Sequence, residues 1–138
     1  MTAIAVQPDR IGHVSLRVRN LRRSGDFYRD LFGLHPRQAE PPSMVSWVCA
    51  PAGDELPRFS LVLTQGLPLG SEISGLDHVS LVVATEEVVD EVYRRATEMG
   101  ARATQPRYYA GHYQVFVFDP DGYKIEVRAE ETPPGSNQ

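Results

Sequence analysis

Two histidines and one glutamate are the residues of this chain whose types and placement could do chemistry. The tetrapeptide His-Val-Ser-Leu occurs at His13–Leu16 and again at His78–Leu81, an offset of 65 residues. The same offset carries Tyr28-Arg29 onto Tyr93-Arg94. A period that long is one supersecondary unit built twice, not a solenoid of short repeats. In both copies the histidine shares a strand face with polar residues and lies opposite the aliphatic ones. Glu126, between Ile125 and Val127, has the same parity. If each unit curls a sheet around a cleft, His13, His78 and Glu126 converge inside it. Two imidazoles and a carboxylate form a facial triad suited to a divalent metal, with positions left open for substrate. The alternative is that the histidines record only the duplication and hydrogen-bond in the core.

Strand parity adds neighbours to this set. Ser15 and Arg17 share the face of His13, and Ser80 shares that of His78, so all three are candidate substrate contacts. The Arg17 guanidinium suits a carboxylate or other oxyanion. Tyr108, Tyr109, His112 and Tyr113 cluster about Gly111, in what reads as a loop able to close over the cleft. His112 and Tyr113 are candidate catalytic acids or bases there, and Tyr109 is a wall for a planar substrate. Trp47 and Phe59 pack or line the cleft. His35, before Pro36, is read as a surface or capping residue without chemistry.

The elements that must position these residues follow from periodicity. Ile11 to Val18 alternates as a strand, with Val14, Leu16 and Val18 on one face. Asn20 is placed to cap a helix through Phe32, with Leu21, Ser24, Phe27, Tyr28 and Leu31 at helical spacing and Gly33 as its stop. Strands follow at Ser46–Ala50 and Phe59–Thr64, separated by a turn-rich Pro51–Pro57. Gln65 to Gly75 reads as the linker between units. In the second unit His78–Val83 is a strand, and Thr85 caps a helix whose first turn holds Glu86 and Glu87, as the helix dipole favours. Val88, Val92, Ala96 and Met99 are its expected apolar stripe, with Gly100 ending it. Tyr113–Phe118 and Tyr123–Ala129 form a hairpin around Asp119-Pro120-Asp121-Gly122. The expected organisation is one α+β domain over 1–138, with modules at 10–65 and 76–130 and a disordered polar tail at 131–138.

The chain has 138 residues, enough for a single ordinary core. Its net charge of −4, with no basic block, argues against a nucleic-acid partner. No stretch approaches the ~18 apolar residues of a membrane span, and Met1 to Arg10 holds no signal-peptide run. Cys49 is the one cysteine, which excludes an intrachain disulfide and a thiolate cluster. It reads as a packing thiol, and a reducing cytoplasm is the expected location.

With these motifs in view, the chain resembles the vicinal oxygen chelate superfamily, which includes glyoxalase I, extradiol dioxygenases, fosfomycin-resistance proteins, methylmalonyl-CoA epimerase and bleomycin-resistance proteins. The resemblance rests on Ile-Gly-His-Val-Ser-Leu-Arg-Val, on Ser-Gly-Asp-Phe-Tyr-Arg-Asp-Leu-Phe-Gly at Ser24–Gly33, on Leu-Asp-His-Val-Ser-Leu-Val-Val, and on Phe118–Val127. It covers roughly Ile11 to Glu130. It implies paired βαβββ modules, with metal ligands at His13, His78 and Glu126. In members of this length, modules from different subunits often combine. The resemblance therefore implies a homodimer in which His13 comes from one chain and His78 and Glu126 from the other, while the eleven-residue linker Gln65–Gly75 permits pairing within one chain as well.

Branch signals within the family diverge. The fourth protein ligand of glyoxalase I falls on Val62, which cannot bind metal. That leaves a three-ligand site resembling the extradiol dioxygenases and the fosfomycin thiol transferases. Those carry a tyrosine at the position of Phe116, however, and Phe116 and Arg17 both look glyoxalase-like. Val62 and Phe116 are then expected to line the cleft as substrate contacts. Ligand count puts first an Fe(II) dioxygenase acting on a catechol-like diol. Second stands a Ni(II) or Zn(II) lyase or isomerase acting on an α-hydroxycarbonyl or hemithioacetal, Mn(II) being a further possible metal. A drug- or metabolite-binding protein of the bleomycin-resistance kind is the third reading, and a small-molecule ligand is common to all three.

Overall fold

The computed structural model describes residues 4–38, 46–53, 59–67 and 75–130. The expected tail at 131–138, most of the linker Gln65–Gly75 and the later part of the Pro51–Pro57 turn lie outside the described residues. The first module runs β1 (His13–Val18), α1 (Leu21–Phe32), β2 (Leu34–Gln38), β3 (Ser46–Pro51), β4 (Ser60–Gln65). The second runs β5 (Val79–Val83), α2 (Glu86–Glu98), β6 (Arg107–Tyr109), β7 (His112–Phe118), β8 (Lys124–Ala129). Their sheets have the orders β1-β4-β3-β2 and β5-β8-β7-β6, the same arrangement twice, with the first and last strands of each module paired in parallel. The repeated tetrapeptide is thus the visible remnant of a repeated topology. No helix among the described residues is long and apolar enough to cross a membrane.

Each sheet packs one face on its own helix. In α1, Asn20 is extended and its side chain accepts from Arg23 N–H at 2.9 Å, while Gly33 closes the helix in the left-handed region at φ 67°. Leu21, Ser24, Phe27, Tyr28 and Leu31 are buried as their spacing requires. Gly25 lets the helix approach the sheet closely: a Cβ there would stand 2.9 Å from the Trp47 ring. Leu16, Val18, Leu61, Leu63 and Cys49 supply the opposing surface and are almost wholly buried. Burial pushes the Cys49 thiol up to about 12, which fits a packing residue. Ile125, Val127, Val115 and Val117 do the same under α2.

Two expectations are corrected and one strand is added. The buried stripe of α2 is Val89, Val92 and Ala96, whereas Val88 and Met99 are exposed; both phasings offer valines, and only the sheet distinguishes them. Leu34–Gln38, to which periodicity assigns no element, is a strand that tolerates Pro36 because β2 lies at the sheet edge, and His35 on it is exposed as expected. Residues Arg107 to Tyr113 are not a closing loop. They form the tight hairpin β6–β7, turned at Ala110 and Gly111, both with positive φ.

The modules are joined at the β7–β8 turn. Tyr28 donates its hydroxyl to Asp119 Oδ2 at 2.7 Å, and Asp119 Oδ1 accepts from the N–H groups of Asp121 and Tyr123, both at 2.9 Å. Asp121, its side chain fully buried, accepts from Arg23 and Ser24 at 3.3 Å each and from Arg19 at 3.5 Å. Tyr123 donates to the Arg17 carbonyl at 2.8 Å. Burial raises the Asp119 carboxyl above the ordinary range despite these donors. Burial, then the neighbouring Asp119, pushes the Tyr28 phenol well up.

Candidate metal centre

The faces turned away from the helices carry the chemistry. On the second sheet the register aligns Ser80, Glu126 and Phe116 across β5, β8 and β7. His78 stands one residue before β5, with its Nε2 3.9 Å from Glu126 Oε2. Its Nδ1 lies 2.6 Å from Asp77 Oδ2, and this bond is the leading cause of the lowered Asp77 carboxyl. Ser80 donates to Glu126 Oε1 at 2.7 Å. Both groups are therefore held from behind, leaving His78 Nε2 and Glu126 Oε2 facing each other. Bonds from a divalent ion to such donors are about 2.0–2.2 Å, so a 3.9 Å gap suits one ion between them. A carboxylate behind a ligating imidazole is also the usual support at metal sites.

Phe116 packs edge-on to His78, with centroids 5.9 Å apart, and lies beneath Lys124 Nζ at 4.3 Å. It therefore orients the imidazole and offers no proton. Ser80, read from the sequence as a substrate contact, has Glu126 as its partner.

On the first sheet His13, Ser15 and Arg17 are exposed on the face away from α1. Ser15 pairs in register with Val62, and a hydroxyl chain runs from Ser15 to Thr64 at 3.4 Å and on to Ser46 at 3.2 Å. Arg17 lies across Gly66, where a Cβ would come within 2.8 Å of its Cγ and Cδ. The structure brings His78 and Glu126 together but does not add His13 to them. Among the described residues of one chain, no three His, Cys, Asp or Glu side chains gather into a metal-holding group.

The tyrosine–histidine cluster divides by parity. His112 and Tyr109 pair opposite one another on the Glu126 face, where Arg128 Nη1 approaches His112 Nε2 at 2.7 Å. A guanidinium only donates, so this nitrogen of His112 serves as an acceptor. Tyr113 and Tyr108 lie on the helix side, their hydroxyls on Asp90 and Glu86 of α2, each at 2.6 Å. The Tyr113 phenol is raised to about 12, first by its bond to Asp90. Tyr113 is grouped with His112 by its closeness to Gly111, but both lie on β7, where successive side chains point to opposite faces. Asp77 and Arg128 were not singled out in the sequence. The carboxylate directly before His78 was the available signal for the first, and the i+2 spacing from Glu126 for the second.

The family model described as the Glyoxalase/Bleomycin resistance protein/Dioxygenase superfamily matches residues 10–127. A lactoylglutathione lyase of Neisseria meningitidis serogroup A is 30% identical over 121 residues, covering 85% of this chain and 88% of its own length. Among solved structures, a glyoxylase/bleomycin resistance protein/dioxygenase domain from Frankia sp. gives a TM-score of 0.75 at 22% identity, over 91% of this chain and 100% of that one. A lactoylglutathione lyase from Agrobacterium tumefaciens gives 0.66 at 22% identity, over 88% and 94%. A fosfomycin resistance protein from Listeria monocytogenes gives 0.70 at 19% identity, over 90% and 95%.

Proposed function

This chain belongs to the Glyoxalase/Bleomycin resistance protein/Dioxygenase superfamily, and we propose that it is a metal-dependent lyase or isomerase acting on an α-hydroxycarbonyl compound or hemithioacetal. The observation that carries the reading is the braced pair of His78 Nε2 and Glu126 Oε2, facing each other across 3.9 Å. His13 completes the set from a second subunit in a two-fold homodimer, so that two equivalent sites form. The exposed His13 face and its separation from the other two residues in one chain support this arrangement. A bound divalent cation would polarise the vicinal oxygens of the substrate and stabilise the negative charge developing on them. Ser80 fixes the Glu126 carboxylate through Oε1 and leaves Oε2 as the basic atom on the open face. Phe116 keeps water from one side of His78, and Arg17 offers a cation beside His13.

This order reverses the one that ligand count alone suggests. The 30% identical relative named lactoylglutathione lyase favours proton transfer, and Phe116 supplies no phenolic acid. An Fe(II) dioxygenase is the second reading, supported by Val62 opposite Ser15, where a fourth ligand would have to stand.

Elemental analysis of protein purified without chelator is expected to show about one divalent ion per chain, lost in His13→Ala, His78→Ala and Glu126→Ala. The two histidine variants, refolded together, are expected to regain part of the metal binding. Ni(II)- or Zn(II)-loaded protein is expected to convert a hemithioacetal to a 2-hydroxyacyl thioester. Wild-type metal content in all three variants would overturn the site. Oxygen uptake with catechol-like diols under Fe(II), without thioester formation, would move the case to the second reading.

A further inference from the structure

The strands segregate charge. They carry five cationic side chains, Arg17, Arg37, Arg107, Lys124 and Arg128, and one carboxylate, Glu126, in a chain of net charge −4. A second carboxylate, Asp77, stands just before β5 and is engaged by His78. Acidic residues are concentrated elsewhere, notably on α2, where Glu91 and Glu98 bind Arg94. Arg17 and Arg37 belong to the first sheet; Arg107, Lys124 and Arg128 share the face of Glu126 on the second, so that surface is cationic in an acidic protein, a field that draws in anions.

Arg128 stands out among them by a buried guanidinium nitrogen. It lies two residues beyond Glu126 on the same strand face, opposite Gln114 of β7. Its Nη1 reaches the His112 ring, 2.7 Å from Nε2 and 3.2 Å from Nδ1. Its Nε is buried and has no hydrogen-bond partner among the described residues. Buried N–H groups are nearly always paired, so the open Nε–H is an unmet demand for an acceptor on a side chain that is itself only half-buried. Imidazole braces one arm of the fork but brings no negative charge, so the guanidinium keeps its full charge for a ligand. Residues i and i+2 of a strand are about 7 Å apart, which sets the distance from the Glu126 end of the site to the anion.

We propose that Arg128, braced by His112, is a specificity-determining residue that binds a carboxylate of the substrate. The substrate is then an α-hydroxycarbonyl compound carrying a carboxylate a few carbon–carbon bonds from its vicinal oxygens. This deepens the reaction proposed above and rests on it for the position of those oxygens. Neutral-ended analogues of the same length bind poorly because they leave the guanidinium unpaired.

The test uses succinate and its monoamide, succinamate, titrated by calorimetry into metal-loaded protein, with metal content measured on the same samples. Wild type is expected to prefer succinate by at least tenfold. Arg128→Gln should lose that preference while keeping its metal, and Arg128→Lys should retain part of it. In parallel, the Arg128 Nε–H resonance of the wild type should shift on adding succinate. Equal preference in wild type and Arg128→Gln, or a resonance that does not respond, overturns the proposal. Absence of metal from every sample counts against the proposed reaction instead. The resonance in chelator-treated wild type then still decides the role of Arg128.

Discussion

Tyr28→Phe isolates the joint between the modules. The substitution removes one hydroxyl and leaves the ring packing against Phe27, whose centroid is 5.1 Å away. Tyr28 is fully buried and Asp119 is 5% exposed, so water cannot readily replace the lost donor. Asp119 Oδ1 keeps its two backbone N–H partners, and Oδ2 loses the phenol at 2.7 Å. Hydrogen bonds to charged groups contribute about 1.5–3 kcal/mol, and a buried acceptor left open costs about 1–3 kcal/mol. The expected loss at neutral pH is therefore about 2 kcal/mol. The sign of its pH dependence follows from the direction of the Asp119 shift. Its carboxyl is already raised in the folded state, and the Tyr28 bond is the largest influence opposing the rise. Removing that bond raises the folded value further. The variant then binds a proton that its unfolded state releases, so its deficit is full above the folded value and shrinks as pH falls through it toward the ordinary aspartate range. At the alkaline end the raised Tyr28 phenol acts on the wild type alone. Its stability is held below the ordinary tyrosine range, about 10, and is lost as pH rises through that range toward the folded value. Urea midpoints measured across pH at fixed protein concentration, with unchanged slope, report these differences. An unchanged midpoint at pH 7, or a deficit that grows toward acid, would refute the reasoning.

Two further outcomes are expected. Ser80→Ala frees Glu126 Oε1 and should weaken metal binding about 10–100-fold with little change in the circular dichroism spectrum; competition titration against a chelating dye checks it. Cys49, fully buried with its thiol raised to about 12, should resist a thiol reagent at pH 8 in native protein and label at once in denaturant, and rapid native labelling would contradict its burial.

Much of the scaffold was legible because its signals are local. Asn20, Gly33 and Thr85 sit where capping chemistry requires, and alternation exposed both the aliphatic faces and the parity of His13, His78 and Glu126. What was hidden depends on partners distant in sequence. The α2 stripe could pass through Val88 or Val89 until the sheet chose. Leu34–Gln38 contains a proline, which argues against a strand unless its place at an edge is known. Tyr113 and His112 look equivalent in a segment read as a loop; only its pairing as strand β7 sends these adjacent side chains to opposite faces. The role of Ser80 required the parallel register of β5 on β8, a pairing across 46 residues.

The parallel pairing also dictates an order of assembly. β1 cannot find its neighbour until β4 exists, and β5 waits for β8, because in each sheet the first strand bonds only to the last. During synthesis the first module can close once residue 65 is available. The second must hold β5, α2 and the β6–β7 hairpin without their central strand until residue 129 is made. Its valine-rich strands stay uncovered for that interval, the period when a growing chain is most exposed to aggregation. The strand that ends the exposure is also the one that delivers Glu126 and Arg128. Closing the second sheet and completing its half of the metal centre are therefore one folding event.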